Sequence, residues 1–240
     1  MRYCWPIRPD SSSTFAVSTY YPRSASFPLQ LGRAILLVCA ALLLAACGDR
    51  GPARASALPS GATVLVIGDS LVAGTGASRA QSWPAVLAET TGWSVVNAGV
   101  PGHTSADARG RLEGLLSELR PDAVIIAIGG NDFLRRVGED TTRGNIEAML
   151  TASKAAATHV ALVAIPEPSM GGQMLGMLSD HALYERLADE HQVALVADAV
   201  SETLSQENYR ADRIHANADG YAYMAGRVAE TLAEAGWLNR

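Results

Sequence analysis

From residue 62 onward the chain alternates continuous apolar runs of strand length with longer segments whose apolar residues recur at helical spacing. Runs such as AVIIAI at 123–128 and VALVAI at 160–165 carry no polar residue toward either side. A strand of that composition must be covered on both faces, which a parallel sheet inside a protein provides and a half-solvated antiparallel sheet does not. Alternating such strands with helices is the βαβ pattern of a sheet between two helical layers. Strands are expected at Thr63–Gly68, Ser94–Asn97, Ala123–Ile128, His159–Ile165 and Val193–Ala197. Helices are expected at Gln81–Thr90, Ser105–Leu119, Thr142–Ala157, Asp180–His191 and Ala218–Ala235, with Thr104 and Asp107 as a variant capping box. The fold class is therefore α/β, a three-layer α/β/α sandwich with a five-stranded parallel sheet.

The first sixty residues do not follow this pattern. After Arg33, the stretch Ala34–Ala46 is uncharged and apolar, too short to span a bilayer but of the length of a signal-peptide core. Its end, Leu44-Ala45-Ala46-Cys47, resembles the lipobox of bacterial lipoproteins, in which the cysteine is acylated and becomes the new amino terminus. An ordinary signal peptide or a membrane anchor is the alternative reading. The lipobox divides the chain into a signal peptide at 1–46, with its atypical amino-terminal extension, a lipidated Cys47 with a flexible tether at 47–61, and a single domain at 62–240. It implies an exported, periplasm-facing lipoprotein, and Gly48 in place of an aspartate favours the outer membrane. Residues 1–30 are polar and rich in Ser, Pro and Tyr, an atypical extension before a signal core; initiation near Leu29 or Leu31 would give an ordinary one.

In an open α/β sheet the functional groups gather beyond the carboxyl ends of the strands. Those positions here carry Gly68-Asp69-Ser70, then Asn97-Ala98-Gly99 with Pro101-Gly102-His103, then Gly129-Gly130-Asn131-Asp132; Asp212-Arg213-Ile214-His215 precedes the last helix. Ser70 is either a helix cap or a nucleophile. A nucleophilic serine needs a base, and the base needs an orienting acceptor. Asp212 and His215, three residues apart, place a carboxylate within reach of one imidazole nitrogen and leave the other for Ser70. An oxyanion would find donors in the Ser70 N–H, a glycine-turn N–H and the Asn131 amide.

These four blocks, GDSL at 68–71, the glycine turn at 99–102, GGND at 129–132 and DRIH at 212–215, resemble those of the SGNH (GDSL-type) hydrolases in the same order. The likeness runs from residue 62 to about 236 and is nearest to the bacterial thioesterase I, lysophospholipase L1 and arylesterase subgroup; it includes SWPAVLA and VVNAGVPGHTS. It implies a flavodoxin-like sheet, Ser70 as nucleophile, Asp212 and His215 as its partners, and an oxyanion hole of Ser70, Gly102 and Asn131. Gly99 competes with Gly102 for the glycine role. Asp69 and Asp132 read as turn-formers, and His103, His159, His181 and His191 as surface or helix-end residues.

The resemblance implies hydrolysis of carboxylic esters or thioesters, on acyl esters, lysophospholipids or acyl thioesters, without a cofactor or metal. An O-deacetylase of envelope carbohydrate and a non-catalytic lipoprotein binding module are the alternatives. Phe133, Leu134, Met174 and Met177 are the apolar residues expected to meet an acyl chain. A net charge of −5 argues against nucleic acid as a partner. The sequence also lacks the G-x-G-x-x-G, P-loop and G-x-S-x-G patterns, which argues against a dinucleotide site and excludes a P-loop and the α/β-hydrolase nucleophile elbow.

Overall fold

The computed structural model describes residues 56–169, 171, 172 and 176–238. Five parallel strands, β1 (Thr63–Gly68), β2 (Ser94–Gly99), β3 (Ala123–Ala127), β4 (His159–Val163) and β5 (Ala194–Val196), pair in the order β2-β1-β3-β4-β5. This is the flavodoxin-like order, in which the chain reverses direction beside β1 and opens a crevice at the carboxyl rim. β1, β3 and β4 are buried almost throughout, whereas β2 and β5 at the edges are half-buried. That division follows from composition: the unbroken apolar runs take the centre, and Ser94 and Asn97 fall on an edge.

The helices described are α1 (Ser70–Ala73), α2 (Trp83–Thr91), α3 (Ser105–Leu119), α4 (Gly130–Leu134), α5 (Glu139–Ala156), α6 (Leu183–His191), α7 (Ala199–Ser205) and α8 (Ala218–Glu234). α3, α5 and α6 cover one face of the sheet; α2, α7 and α8 cover the other. The expected box at the start of α3 forms, Thr104 and Asp107 satisfying each other's backbone N–H groups. Three elements were not expected: α1, α4 and α7. The first two are a turn or so long, too short to show helical periodicity, and both sit at strand exits. β3 and β4 are also shorter than expected: Ile128, Ala164 and Ile165 are buried but lie beyond the last strand pairing, so their apolar run continues past the ladder.

His159 differs from the surface role expected of it. It is buried, its Nε2 lies 2.7 Å from the Ser56 carbonyl, and its ring meets the edge of Trp237. The end of the expected tether is docked as well: Leu58 is buried and its N–H donates to Trp237 O at 2.9 Å. These contacts lie at the amino-terminal edge of the sheet, the pole opposite Ser70. Cys47, the signal segment and the rest of the tether lie outside the described residues.

Candidate active site

Ser70 is placed by a strand that stops and a helix that starts without a linker. Asp69 caps α1, its Oδ1 accepting the Leu71 N–H at 3.0 Å. The cap role that Ser70 was a candidate for is therefore filled by its neighbour, and the Ser70 hydroxyl is left to face His215 Nε2 at 3.0 Å. His215 is itself held by a tight loop. Asp212 Oδ1 accepts the N–H groups of Ile214 and His215 at 2.8 and 2.9 Å, and its Oδ2 lies 2.7 Å from His215 Nδ1. An ionised carboxylate only accepts, so Nδ1 is the ring nitrogen that donates to Asp212, and Nε2 is the one that faces the Ser70 hydroxyl. Partial desolvation works against ionisation of Asp212, but the His215 ring and the two backbone N–H groups outweigh it and hold its carboxyl below the ordinary value.

Asn131, Gly102 and Ser70 meet at the same rim. Asn131 Nδ2 donates to the His103 carbonyl at 3.0 Å and makes a longer 3.4 Å contact with Asp69 Oδ2. One amide hydrogen is thus anchored and the other is held only loosely. The two candidate glycines separate cleanly. The Gly99 N–H is occupied by Asn97 Oδ1 at 3.0 Å, and so is no oxyanion donor. Gly102 has φ +80, a left-handed conformation that favours glycine, and among the described residues nothing accepts its N–H.

Asp132 does more than form a turn. It is buried and accepts from the Ser105 N–H at 2.8 Å, from the Ser105 hydroxyl at 2.5 Å and from Thr142 Oγ1 at 3.3 Å. It thereby ties α4, which carries Asn131, to the starts of α3 and α5. Nothing in the local sequence separates this use of an aspartate from a turn; the partners come from 27 and 10 residues away.

A cleft of about 200 Å³ opens beside Ser70, lined on its apolar side by Leu134, Ile165, Leu178, Leu204 and Ile214. Of the residues expected to meet an acyl chain, Leu134 borders the cleft. Phe133 does not: it stacks on His181 at 4.6 Å and meets Tyr184 edge-on, packed beneath the rim. Met177 is 70% exposed and outside the lining, because the next residue, Leu178, turns inward with its N–H bound to Ser205 Oγ. Met174 lies outside the described residues. Ile165 and Leu204 went unnoticed because each reads as ordinary core of the element that bears it.

Asp69 is buried beside this chemistry, and burial pushes its carboxyl up from 3.8 to about 6; Asp132 adds to the rise, while the Leu71 N–H and His215 oppose it. With a folded value above the unfolded one, its favourable contribution is full below the unfolded 3.8 and is lost as pH rises through about 6. At about 1.4 kcal/mol per unit, the loss is on the order of 3 kcal/mol. Asp69→Asn does not titrate, so its stability relative to the wild type is expected to climb by roughly that amount between about pH 4 and pH 7. Urea unfolding at the two pH values measures it; a difference that stays flat means Asp69 titrates as an ordinary carboxylate.

A parallel α/β sheet that sets a hydroxyl, an imidazole and a carboxylate in one hydrogen-bonded line, with a side-chain amide beside them, has the architecture of a hydrolase working on acyl groups. The chain belongs to the GDSL-like lipase/acylhydrolase family, whose model matches residues 66–223. It is 34% identical over 175 residues to the thioesterase 1/protease 1/lysophospholipase L1 of Escherichia coli strain K12, spanning 71% of this chain and 83% of that protein. The arylesterase of Vibrio mimicus is 28% identical over 176 residues, 70% of this chain and 87% of its own. Among solved structures, TesA superposes with a TM-score of 0.65 at 30% identity, covering 72% of this chain and 99% of its own. The protein is thus an ester hydrolase of the SGNH type, of the esterase, thioesterase and lysophospholipase group.

Proposed function

We propose that this protein cleaves carboxylic esters and thioesters through a covalent acyl-enzyme formed on Ser70. The observation that carries the reading is the unbroken line from Ser70 Oγ through His215, at 3.0 Å, to Asp212 Oδ2, at 2.7 Å. Ser70 Oγ adds to the acyl carbonyl carbon while His215 Nε2 takes the hydroxyl proton. The carbonyl oxygen becomes an oxyanion and receives the Ser70 and Gly102 N–H groups and the loosely held hydrogen of Asn131. His215 then gives its proton to the departing alcohol or thiol as the C–O or C–S bond breaks. In the second half His215 takes a proton from water, the resulting hydroxide adds to the acyl-enzyme, and the proton returns to Ser70 as the acid leaves. Asp212 keeps the imidazole in the tautomer that accepts at Nε2 and stabilises the imidazolium.

The acyl group is the apolar part of the substrate. Leu134, Ile165, Leu178, Leu204 and Ile214 offer a methyl and methylene surface, and the described lining has no aromatic ring on which a sugar would stack. This supports acyl esters over acetylated carbohydrate. Acylation of Cys47 would hold the enzyme at a membrane, with the described chain entering the domain at the pole away from Ser70.

One experiment tests these points together: p-nitrophenyl esters of increasing chain length and acetylated xylan, offered to the full chain and to Cys47→Ser. Expected is a rise in kcat/KM from acetate to medium chains, no release of acetate from xylan, and a shift of Cys47→Ser from the membrane to the soluble fraction. A best substrate of acetylated xylan would overturn the acyl assignment. Equal partitioning of the two proteins would overturn the anchor alone.

A further inference from the structure

We infer that Arg135 is a positioning residue for the oxyanion site, holding the loop that presents the Gly102 N–H. The inference rests on the reading above, in which Gly102 is an oxyanion donor. α4 is short, and its two ends reach the same loop. Asn131, in its first turn, donates from Nδ2 to the His103 carbonyl at 3.0 Å; Arg135, at its carboxyl cap, donates from a terminal guanidinium nitrogen to the Gly102 carbonyl at 2.9 Å. Two consecutive carbonyls of one loop are thus gripped by two side chains of one helix. The helix is in turn fixed by Asp132, whose carboxylate is buried on Ser105 and Thr142.

The loop needs such a grip. Gly102 has no side chain to lodge and stands at φ +80, and among the described residues the other bond that closes this turn is the 3.2 Å contact from the His103 N–H to the Val100 carbonyl. Glycine gives up more conformational freedom than any other residue when held in one orientation, so an unheld peptide here would sample many directions for its neighbouring N–H. Arg135 also lies over the glycine itself: a Cβ added at Gly102 would sit 3.7 Å from the guanidinium nitrogen. The side chain is exposed, so its loss leaves no cavity and no buried group without a partner. A guanidinium is planar, cationic and strongly donating, which suits it to fix a carbonyl at the surface where a neutral donor would compete poorly with water.

An oxyanion donor that is misplaced rather than deleted costs part of the 10²–10³ typical of deletion, so Arg135→Ala is expected to lower kcat by about 10- to 50-fold. KM for a short p-nitrophenyl ester is expected to change by less than about 2-fold, because the ground-state carbonyl binds the site weakly. Arg135→Lys, which keeps a charged donor, is expected to recover a good part of kcat, and millimolar guanidinium is expected to raise the rate of Arg135→Ala. The thermal midpoint of each variant should match that of the wild type. A kcat within about 2-fold of wild type in Arg135→Ala overturns the inference, as does an effect confined to KM, which would make Arg135 a substrate contact. Asn131→Ala measured alongside keeps the two readings apart. If Asn131→Ala loses about 10²-fold or more while Arg135→Ala loses nothing, the oxyanion reading stands and the role of Arg135 falls. If neither loses activity, the oxyanion reading falls first.

Discussion

Ser70→Ala is expected to lower kcat for a p-nitrophenyl ester by about 10⁴- to 10⁶-fold while leaving the thermal midpoint within a degree or two of wild type. The hydroxyl is half-buried and its side-chain partner is His215 Nε2, so removing it costs the fold at most one modest hydrogen bond. Without it no covalent acyl intermediate forms, and only binding and the oxyanion donors remain. His215→Ala should fall to the same floor, and the double variant should fall no further, because the two groups act as one unit. Asp212→Asn separates position from charge. Its remaining oxygen still accepts the Ile214 and His215 N–H groups, but its amide donates to Nδ1 and drives the ring proton onto Nε2. The ring is then no base toward Ser70, and a loss on the order of 10⁴-fold in kcat is expected, with little change in stability. Stopped assays with purified variants and circular-dichroism melts measure both quantities. Turnover by Ser70→Ala within 10-fold of wild type would remove the acyl-enzyme mechanism.

Gly68→Ala is expected to damage the fold severely. A Cβ there would lie 2.1 Å from the Ala127 carbonyl oxygen and 2.4 Å from Val72 Cγ2. Gly68 pairs with Ala127 across β1 and β3 at the carboxyl rim, and Val72 belongs to the helix that carries Ser70. No single side chain can move aside: the oxygen is backbone in the centre of the sheet, and Val72 is fully buried. Relief requires the end of β1 to part from β3, disturbing the Gly68 carbonyl, which accepts from the Val100 N–H at 3.1 Å and from Arg111 at 2.9 Å. Overpacking of this kind costs about 3 kcal/mol or more. At about 2–4 °C per kcal/mol for a domain of this size, the midpoint should drop by roughly 6–12 °C. Activity should fall as well, since the shift displaces Ser70 from both His215 and Asn131. A melting midpoint unchanged to within a degree would mean that β1 and β3 tolerate separation at this end.

Much of the site was legible in the chain because the sheet is parallel. Every strand then points its carboxyl end toward one rim, so short blocks scattered along the sequence, at 68–71, 99–102, 129–132 and 212–215, converge without any long-range information being needed. Ser70, His215 and Asp212 could be paired on paper for a second reason. The Asp-x-x-His contact is local, and the capping rules limit what a serine after a strand does. The residues that escaped are those whose neighbours arrive from far along the chain. Asp132 looks like a turn until Ser105 and Thr142 are beside it; His159 looks like a surface residue until Ser56 and Trp237 close over it. α1 and α4 escaped because helices so short have no periodicity of their own and persist only through tertiary contacts.

The amino-acid order by itself determined the layered α/β architecture, which follows from burial on both faces of a strand, and it offered Ser70, His215 and Asp212 as a candidate set, since a nucleophilic hydroxyl needs a base and the base an acceptor. Tertiary structure alone decided which glycine keeps a free N–H, which aspartate caps and which one clamps, and which apolar side chains face the cleft. Those outcomes depend on a hydrogen-bond partner or an open volume contributed by distant residues. Such choices are made between groups whose local sequences are indistinguishable, and only packing breaks the tie.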